Sequence, residues 1–156
     1  MEPAAGRLRV VGPGEGTAAR SGRAVLTLKA VAGDTGGAFA LGETVRPPGA
    51  DAPGLHVHRR TDESFYVLDG ELSVRVADQT VTAAAGTFVH VPKGVPHSVP
   101  FNRATTPVRY LFLLTPGGLE SYFVERAAAT DAAGGEPDPD ALDAVAAKHD
   151  LYPVAE

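Results

Sequence analysis

His56, His58, Glu63 and His97 are of the residue types and at the spacing that hold a metal ion. Successive side chains of an extended strand alternate between faces, so His56 and His58, separated only by Val57, point the same way. Two imidazoles then meet at one spot. Arg59 to Asp62 read as a turn, and Glu63 as the start of a strand that pairs back on the first and aims its carboxylate at the same point. His97 follows a second segment that begins at Gly86 and ends in the turn Pro92-Lys93-Gly94, and it supplies the fourth donor. Imidazole combined with carboxylate suits one divalent ion of iron, nickel, cobalt, manganese, zinc or copper and leaves positions open for other ligands. Inside a barrel, Glu63 as a bare anion would cost several kcal/mol, and a divalent cation offsets that cost. Any one of the four taken singly is more often a packed or surface residue. A degenerate barrel that keeps all four without a metal is the alternative to a metal site.

The elements that position these residues read as short strands. Gly33, Gly36, Gly37, Gly42 and the stretch Arg46 to Gly54 punctuate apolar runs at Ala24–Leu28 and Phe39–Val45. Ser64 to Asp69 reads as a strand and Gly70-Glu71 as a turn. Leu72, Val74 and Val76 then alternate with Ser73, Arg75 and Ala77, giving one buried and one wet face. Asp78-Gln79 is the expected hairpin tip, Val81 resumes a strand, and Thr87 to Val91 forms another. Arg109 to Thr115 is nearly all apolar, which predicts a strand covered on both faces. Many short strands with Gly/Pro turns give an all-β fold, an antiparallel sandwich or barrel.

The C-terminal part changes character. Leu119 to Ala129 reads as a helix presenting Leu119, Tyr122, Phe123 and Arg126 and lying against the barrel. A linker, Thr130 to Glu136, leads to a second helix with Asp138 as N-cap and Pro139 at its first position. Leu142, Val145, Ala146 and His149 share one face of it, and His149 at its last turn has a simple structural reading. The expected organisation is an arm over residues 1–21, mobile or swapped onto a second copy, a barrel over 22–117 and a helical extension over 118–156.

With 156 residues, 44% hydrophobic and 21% charged, the chain suits one domain with a real core. A net charge of -5 and no basic stripe argue against nucleic acid as a partner. No apolar run approaches a membrane span and Met1 to Pro13 lacks the apolar segment of a signal peptide, so no membrane partner and a cytoplasmic location are expected. Cysteine is absent, which excludes thiolate ligands and disulfides.

His56-x-His58, four residues, Glu63, six residues and Gly70, followed by Gly86, five residues, Pro92-Lys93-Gly94, two residues and His97, resemble the two motifs of the cupins, small jelly-roll metalloproteins. Gly49 falls one residue earlier and Asn102 one residue later than the pattern places its glycine and asparagine. The resemblance implies an antiparallel jelly-roll (cupin) barrel with a C-terminal helical extension, a small-molecule substrate and a homodimer. The run Leu55 to Gly70 and the helical tail are most similar to the quercetinase-like dioxygenases. That likeness implies a metal-dependent dioxygenase acting on a flavonol-like or other enolisable aromatic substrate, with Glu63 as the base that takes the substrate's hydroxyl proton. A redox-neutral polyketide cyclase or isomerase and a non-catalytic small-molecule binder use the same barrel, because fold does not imply function.

Pocket candidates follow from strand parity. Phe65 and Val67 share the parity of Glu63 and face the pocket, with Tyr66 and Leu68 on the other side. Phe39, Leu41, Phe112 and Leu114 are candidates for an apolar substrate wall or ordinary core. His90 is read as packing, with a role beside the pocket as the alternative, and Arg59 and Arg60 as a solvated loop.

Overall fold

The computed structural model describes residues 6–50, 54–99, 102, 104–135 and 138–155. The start of the arm, part of the Arg46–Gly54 stretch and Glu136 at the end of the linker lie outside the described residues. Among the described residues eleven strands run β1 (Thr17–Ser21), β2 (Ala24–Ala30), β3 (Ala40–Arg46), β4 (His56–Val57), β5 (Asp62–Asp69), β6 (Glu71–Val76), β7 (Gln79–Ala84), β8 (Phe88–Val91), β9 (His97–Ser98), β10 (Val108–Thr115) and β11 (Tyr152–Pro153). Three helices among the same residues join them: α1 (Ala32–Thr35), α2 (Glu120–Ala132) and α3 (Pro139–Lys148). The last residues of the sequence-assigned arm thus form β1, paired antiparallel with β2.

The strands form two antiparallel sheets, ordered β1-β2-β3-β10-β5-β8 and β11-β4-β9-β6-β7. This is the jelly-roll-like all-β fold that the alternating sequence implies. Inward-facing Leu26, Leu28, Phe65, Val67, Tyr110 and Phe112 of the first sheet meet Leu72, Val74 and Ala83 of the second. A fully buried side chain of this size contributes about 1.5–3 kcal/mol, so this inter-sheet layer holds the site's scaffold rigid. Gly42 stands opposite Phe112 in the β3–β10 register, and a Cβ there would come within 2.2 Å of the Phe112 ring. Gly70, at φ 78°, makes the sharp β5–β6 reversal where a Cβ would meet Pro107 O at 2.7 Å.

Several local expectations are corrected. β5 does not pair back on β4: it lies in the opposite sheet between β10 and β8. The residues after His58 carry the chain across the sandwich instead of folding it into a hairpin. The β6–β7 tip is Ala77-Asp78, with Ala77 at φ 52°, one residue earlier than Asp78-Gln79, and Glu71 already belongs to β6. β10 is not covered on both faces. Val108, Tyr110, Phe112 and Leu114 are buried, whereas Leu111 and Leu113 are half-buried and Arg109 is exposed, because the helices stand elsewhere.

α2 packs along β1 and against α3. Glu120 at its start is buried and satisfied, accepting hydrogen bonds from the backbone N–H groups of Ala32 and Gly118. The α3 start is as the sequence implies: the Asp138 side chain accepts from Asp140 N at 3.1 Å and Pro139 opens the helix. His149 caps its end and lies 3.2 Å from Glu125 of α2. Gly49 and Asn102, each one residue out of pattern, meet: Gly49 N donates to Asn102 O at 3.1 Å, and Asn102 Nδ2 donates to Thr106 O at 3.1 Å. The two offsets close one loop junction and leave the strands carrying His56, His58 and His97 in place.

Candidate metal centre

β4 and β9 lie side by side with His56 directly opposite His97, and directly opposed residues share a sheet face. His58 follows β4 on the same face as His56. Glu63, near the start of β5, reaches across from the facing sheet. The group therefore bridges the two sheets at one end of the barrel. One donor atom from each residue lies within 4.8 Å of the others, and ring centroids of the three histidines stand 4.6 to 5.1 Å apart. All four residues are between 1% and 8% exposed.

Each imidazole is oriented from behind. His56 Nδ1 donates to Gly54 O at 2.8 Å, His97 Nδ1 to Val95 O at 3.0 Å, and His58 Nδ1 to the backbone carbonyl of Asp150. A carbonyl can only accept, so in each ring Nδ1 carries the hydrogen and the Nε2 lone pair is left to face the centre. Backbone partners of this kind fix the tautomer that a metal requires. His97 Nε2 and His58 Nε2 stand 2.9 and 3.3 Å from the same oxygen, Glu63 Oε2.

Lone pairs aimed at a carboxylate repel unless something positive stands between them. Burial disfavours the charged form of His56 and lowers its pKa to about 4, so that ring stays neutral at pH 7. Burial also opposes protonation of His58, but the hydrogen bond and charge of Glu63 outweigh it and raise its pKa. Burial of Glu63 works against ionisation, yet the His58 and His97 imidazoles that face it hold its carboxyl well below the usual range. The centre thus demands a cation, which is either a proton on His58 or a metal ion. Three Nε2 donors and one carboxylate oxygen fit a first-row divalent ion, and the nearby cavity leaves room for further ligands.

That cavity opens beside the cluster. Phe65, Tyr110 and Phe112 wall it from the first sheet, and Leu119, just before α2, with Tyr122 and Phe123 of α2 close it, around a space of about 50 Å³. Small-molecule sites have this character, mostly apolar with few polar groups. Besides the cluster itself, its polar lining includes Ser21, Thr44, Arg46, 3% exposed, and Arg126, whose Nη1 donates to the Tyr122 hydroxyl at 3.2 Å.

Among the wall candidates read from sequence, Phe65 and Phe112 line the cavity, while Val67 and Leu114 belong to the core. Phe39 is 37% exposed and Leu41 lies on the outer face of β3, because Ala40, Gly42, Thr44 and Arg46 take the inner positions. His90 points outward and bonds Ser64 Oγ at 2.8 Å. Arg59 and Arg60 are exposed, with the Arg59 guanidinium 3.9 Å from the centre of the Tyr152 ring. Sequence reasoning missed Arg46, Tyr110 and Asp150. Strand parity from Thr44 could have found Arg46; no local signal marks Asp150.

The family model described as Cupin domain matches residues 42–114, which contain all four candidate ligands. Quercetin 2,3-dioxygenase from Bacillus subtilis (strain 168) is 38% identical over 87 residues, 54% of this chain and 25% of that protein. The match thus spans about a quarter of the length of that relative. A structure from Thermotoga maritima, described as a predicted oxalate decarboxylase, superposes with a TM-score of 0.62 at 23% identity over 69% of this chain and 98% of that one. The polyketide cyclase RemF from Streptomyces resistomycificus gives a TM-score of 0.59 at 20% identity over 70% and 80% of the two chains. At these identities the two structures speak for the fold alone.

Proposed function

The chain belongs to the cupin superfamily, and on that premise we propose that it is a metal-dependent dioxygenase for a flavonol-like or other enolisable aromatic substrate. His56, His58, Glu63 and His97 would hold one divalent metal ion, and Glu63 would also serve as the base. The observation that carries this reading is the buried Glu63 carboxylate, which faces both the three imidazoles and a mostly apolar cavity. The likeness to quercetin 2,3-dioxygenase supports this chemistry over others on the same barrel.

A bound metal of this class supplies Lewis acidity toward a substrate hydroxyl and, when redox-active, electrons toward dioxygen. The protein does the rest. Phe65, Tyr110 and Phe112 hold the ring system by apolar contact and fix its angle to the centre. The Glu63 carboxylate would accept the hydroxyl proton, a transfer general bases accelerate by about 10²–10⁴. The Tyr122 hydroxyl, which accepts from Arg126, has its own hydrogen to offer a substrate oxygen. α2 covers the cavity and limits water near the ionised substrate. A homodimer and a cytoplasmic location belong to the same proposal; light scattering that finds only a 16.1 kDa species would remove the dimer.

The donor set also suits a Lewis-acid ion in a redox-neutral cyclase or isomerase. Oxygen uptake separates the two. Protein reconstituted in turn with iron, nickel, cobalt, manganese, copper or zinc is given a flavonol, and uptake is expected with a redox-active ion and not with zinc. Bound metal with no uptake for any ion, or turnover retained under strict anaerobiosis, would overturn the dioxygenase reading.

A further inference from the structure

The matched family region ends at residue 114, yet the first two histidines are held by chain that lies far beyond it. β11 adds to the edge of β4, with Tyr152 opposite Val57 and Pro153 opposite His56. Val154 N donates to Leu55 O at 2.9 Å and continues the pairing. Asp150 sits just before this strand and is 5% exposed. Its Oδ1 accepts from Arg59 N at 2.9 Å and its Oδ2 from Arg60 N at 2.8 Å, so both oxygens grip the turn that follows His58. Its backbone carbonyl receives the hydrogen of His58 Nδ1. The Arg59 guanidinium lies over the Tyr152 ring and closes the same junction from outside.

This arrangement does more than cover an edge. The two backbone N–H groups have no strand partner where the chain leaves β4 for the opposite sheet, and a carboxylate holding both makes charge-assisted bonds. The turn they define sets where the chain re-enters as β5, and thus where Glu63 stands relative to His58. One residue therefore controls the ring angle of one ligand through its carbonyl and the approach of another through its carboxylate. Behind it, His149 is 3.2 Å from Glu125 of α2, so the position of Asp150 is referred to the same helix that closes the cavity.

We propose that Asp150 is a positioning residue for the metal centre, and that docking of the C-terminal strand and metal loading are thermodynamically coupled. The inference rests on reading His56, His58, Glu63 and His97 as metal ligands. Partners that orient ligands typically account for 10–100-fold in metal affinity. Coupling is reciprocal, so the factor by which a docked tail tightens the metal is the factor by which the metal tightens the docked tail.

The test uses the full chain and Co²⁺ as the probe. Titration with Co²⁺ against a competing chelator compares the wild type with Asp150→Ala and Asp150→Asn. Both variants are expected to bind about 10–100-fold more weakly, and the visible Co²⁺ absorption should change shape because the His58 ring and Glu63 shift. Loss of general packing alone would lower the melting temperature and leave the spectrum of the bound ion as in the wild type, which would overturn the proposal. Hydrogen exchange on the wild type gives an answer even where a variant fails to fold. Co²⁺ should slow exchange at the Arg59, Arg60 and Val154 amides; unchanged rates at these amides with Co²⁺ bound would also overturn it. Wild type that binds no Co²⁺ would remove the metal reading along with this one, whereas wild-type affinity and spectrum in both variants would remove only the role of Asp150.

Discussion

His90 and His97 stand on either side of the turn at Pro92–Gly94, and the structure treats them in opposite ways. His97 is 1% exposed, with Nδ1 on Val95 O and Nε2 on Glu63 Oε2. His90 lies on the outer face of β8 with its Nδ1 on Ser64 Oγ and its ring stacked near Phe88. Their partners are adjacent residues of β5. Glu63 faces in and Ser64 faces out, and in the β5–β8 register Ser64 stands opposite His90. Pleat alternation alone therefore sorts one histidine to a converging cluster with an anion and the other to an outer-face pair with the buried hydroxyl of Ser64. Identity of the residue matters less than whether both ring nitrogens are committed, one to a backbone acceptor and one to a shared centre.

The contrast can be tested most strongly at the anion. In Glu63→Gln the general base is gone, and turnover should fall by about 10²–10⁴ while bound metal falls much less. Steady-state kinetics beside elemental analysis of the same preparation reads both quantities; parallel loss of metal and activity would confine Glu63 to ligation. Next come the inner histidines. His56→Ala, His58→Ala or His97→Ala should each weaken Co²⁺ or Zn²⁺ binding by more than about 100-fold, beyond the loss expected from a supporting hydrogen bond alone. Calorimetric titration checks this, and wild-type affinity in any one of them would strike that residue from the set.

Acid separates the regions without mutation. His56 is held near a pKa of about 4 when folded against 6.5 when unfolded, so between those values the unfolded chain binds more protons. Stability of the metal-free protein should therefore drop as pH falls from 6.5 to 4, by up to about 3 kcal/mol from this group. Urea unfolding across that range should show a flatter dependence in His56→Gln than in the wild type. An identical slope would mean that His56 is not buried as a neutral ring. The smallest effect belongs to the outer face. His90→Ala should leave metal stoichiometry unchanged and shift stability by no more than about 0.5 kcal/mol, as for surface changes in general. Loss of metal in this variant would erase the distinction between the two regions.

Much of the centre was legible in the sequence because it depends on local rules. The i, i+2 spacing of His56 and His58 requires one shared face, and Gly70, Pro92–Gly94 and Asp138-Pro139 mark element ends that the structure keeps. What escaped is non-local. Whether the strand after His58 folds back or crosses to the other sheet depends on which edge is free, and no periodicity in Arg59–Asp69 encodes that choice. Asp150 meets His58 across a separation of 92 residues and carries no motif of its own. Apolar character makes Leu41 a candidate for the cavity wall or the core, although Gly42 and Thr44 hold the inner positions of β3 and leave it outside.

Metal content of protein purified without added metal, then loaded with Co²⁺ or Zn²⁺ and dialysed, decides whether His56, His58, Glu63 and His97 hold an ion. The account predicts one divalent ion per chain in the wild type and in His90→Ala, and close to none in His97→Ala. Failure of the wild type to retain any divalent ion, or equal retention in His97→Ala, would contradict it.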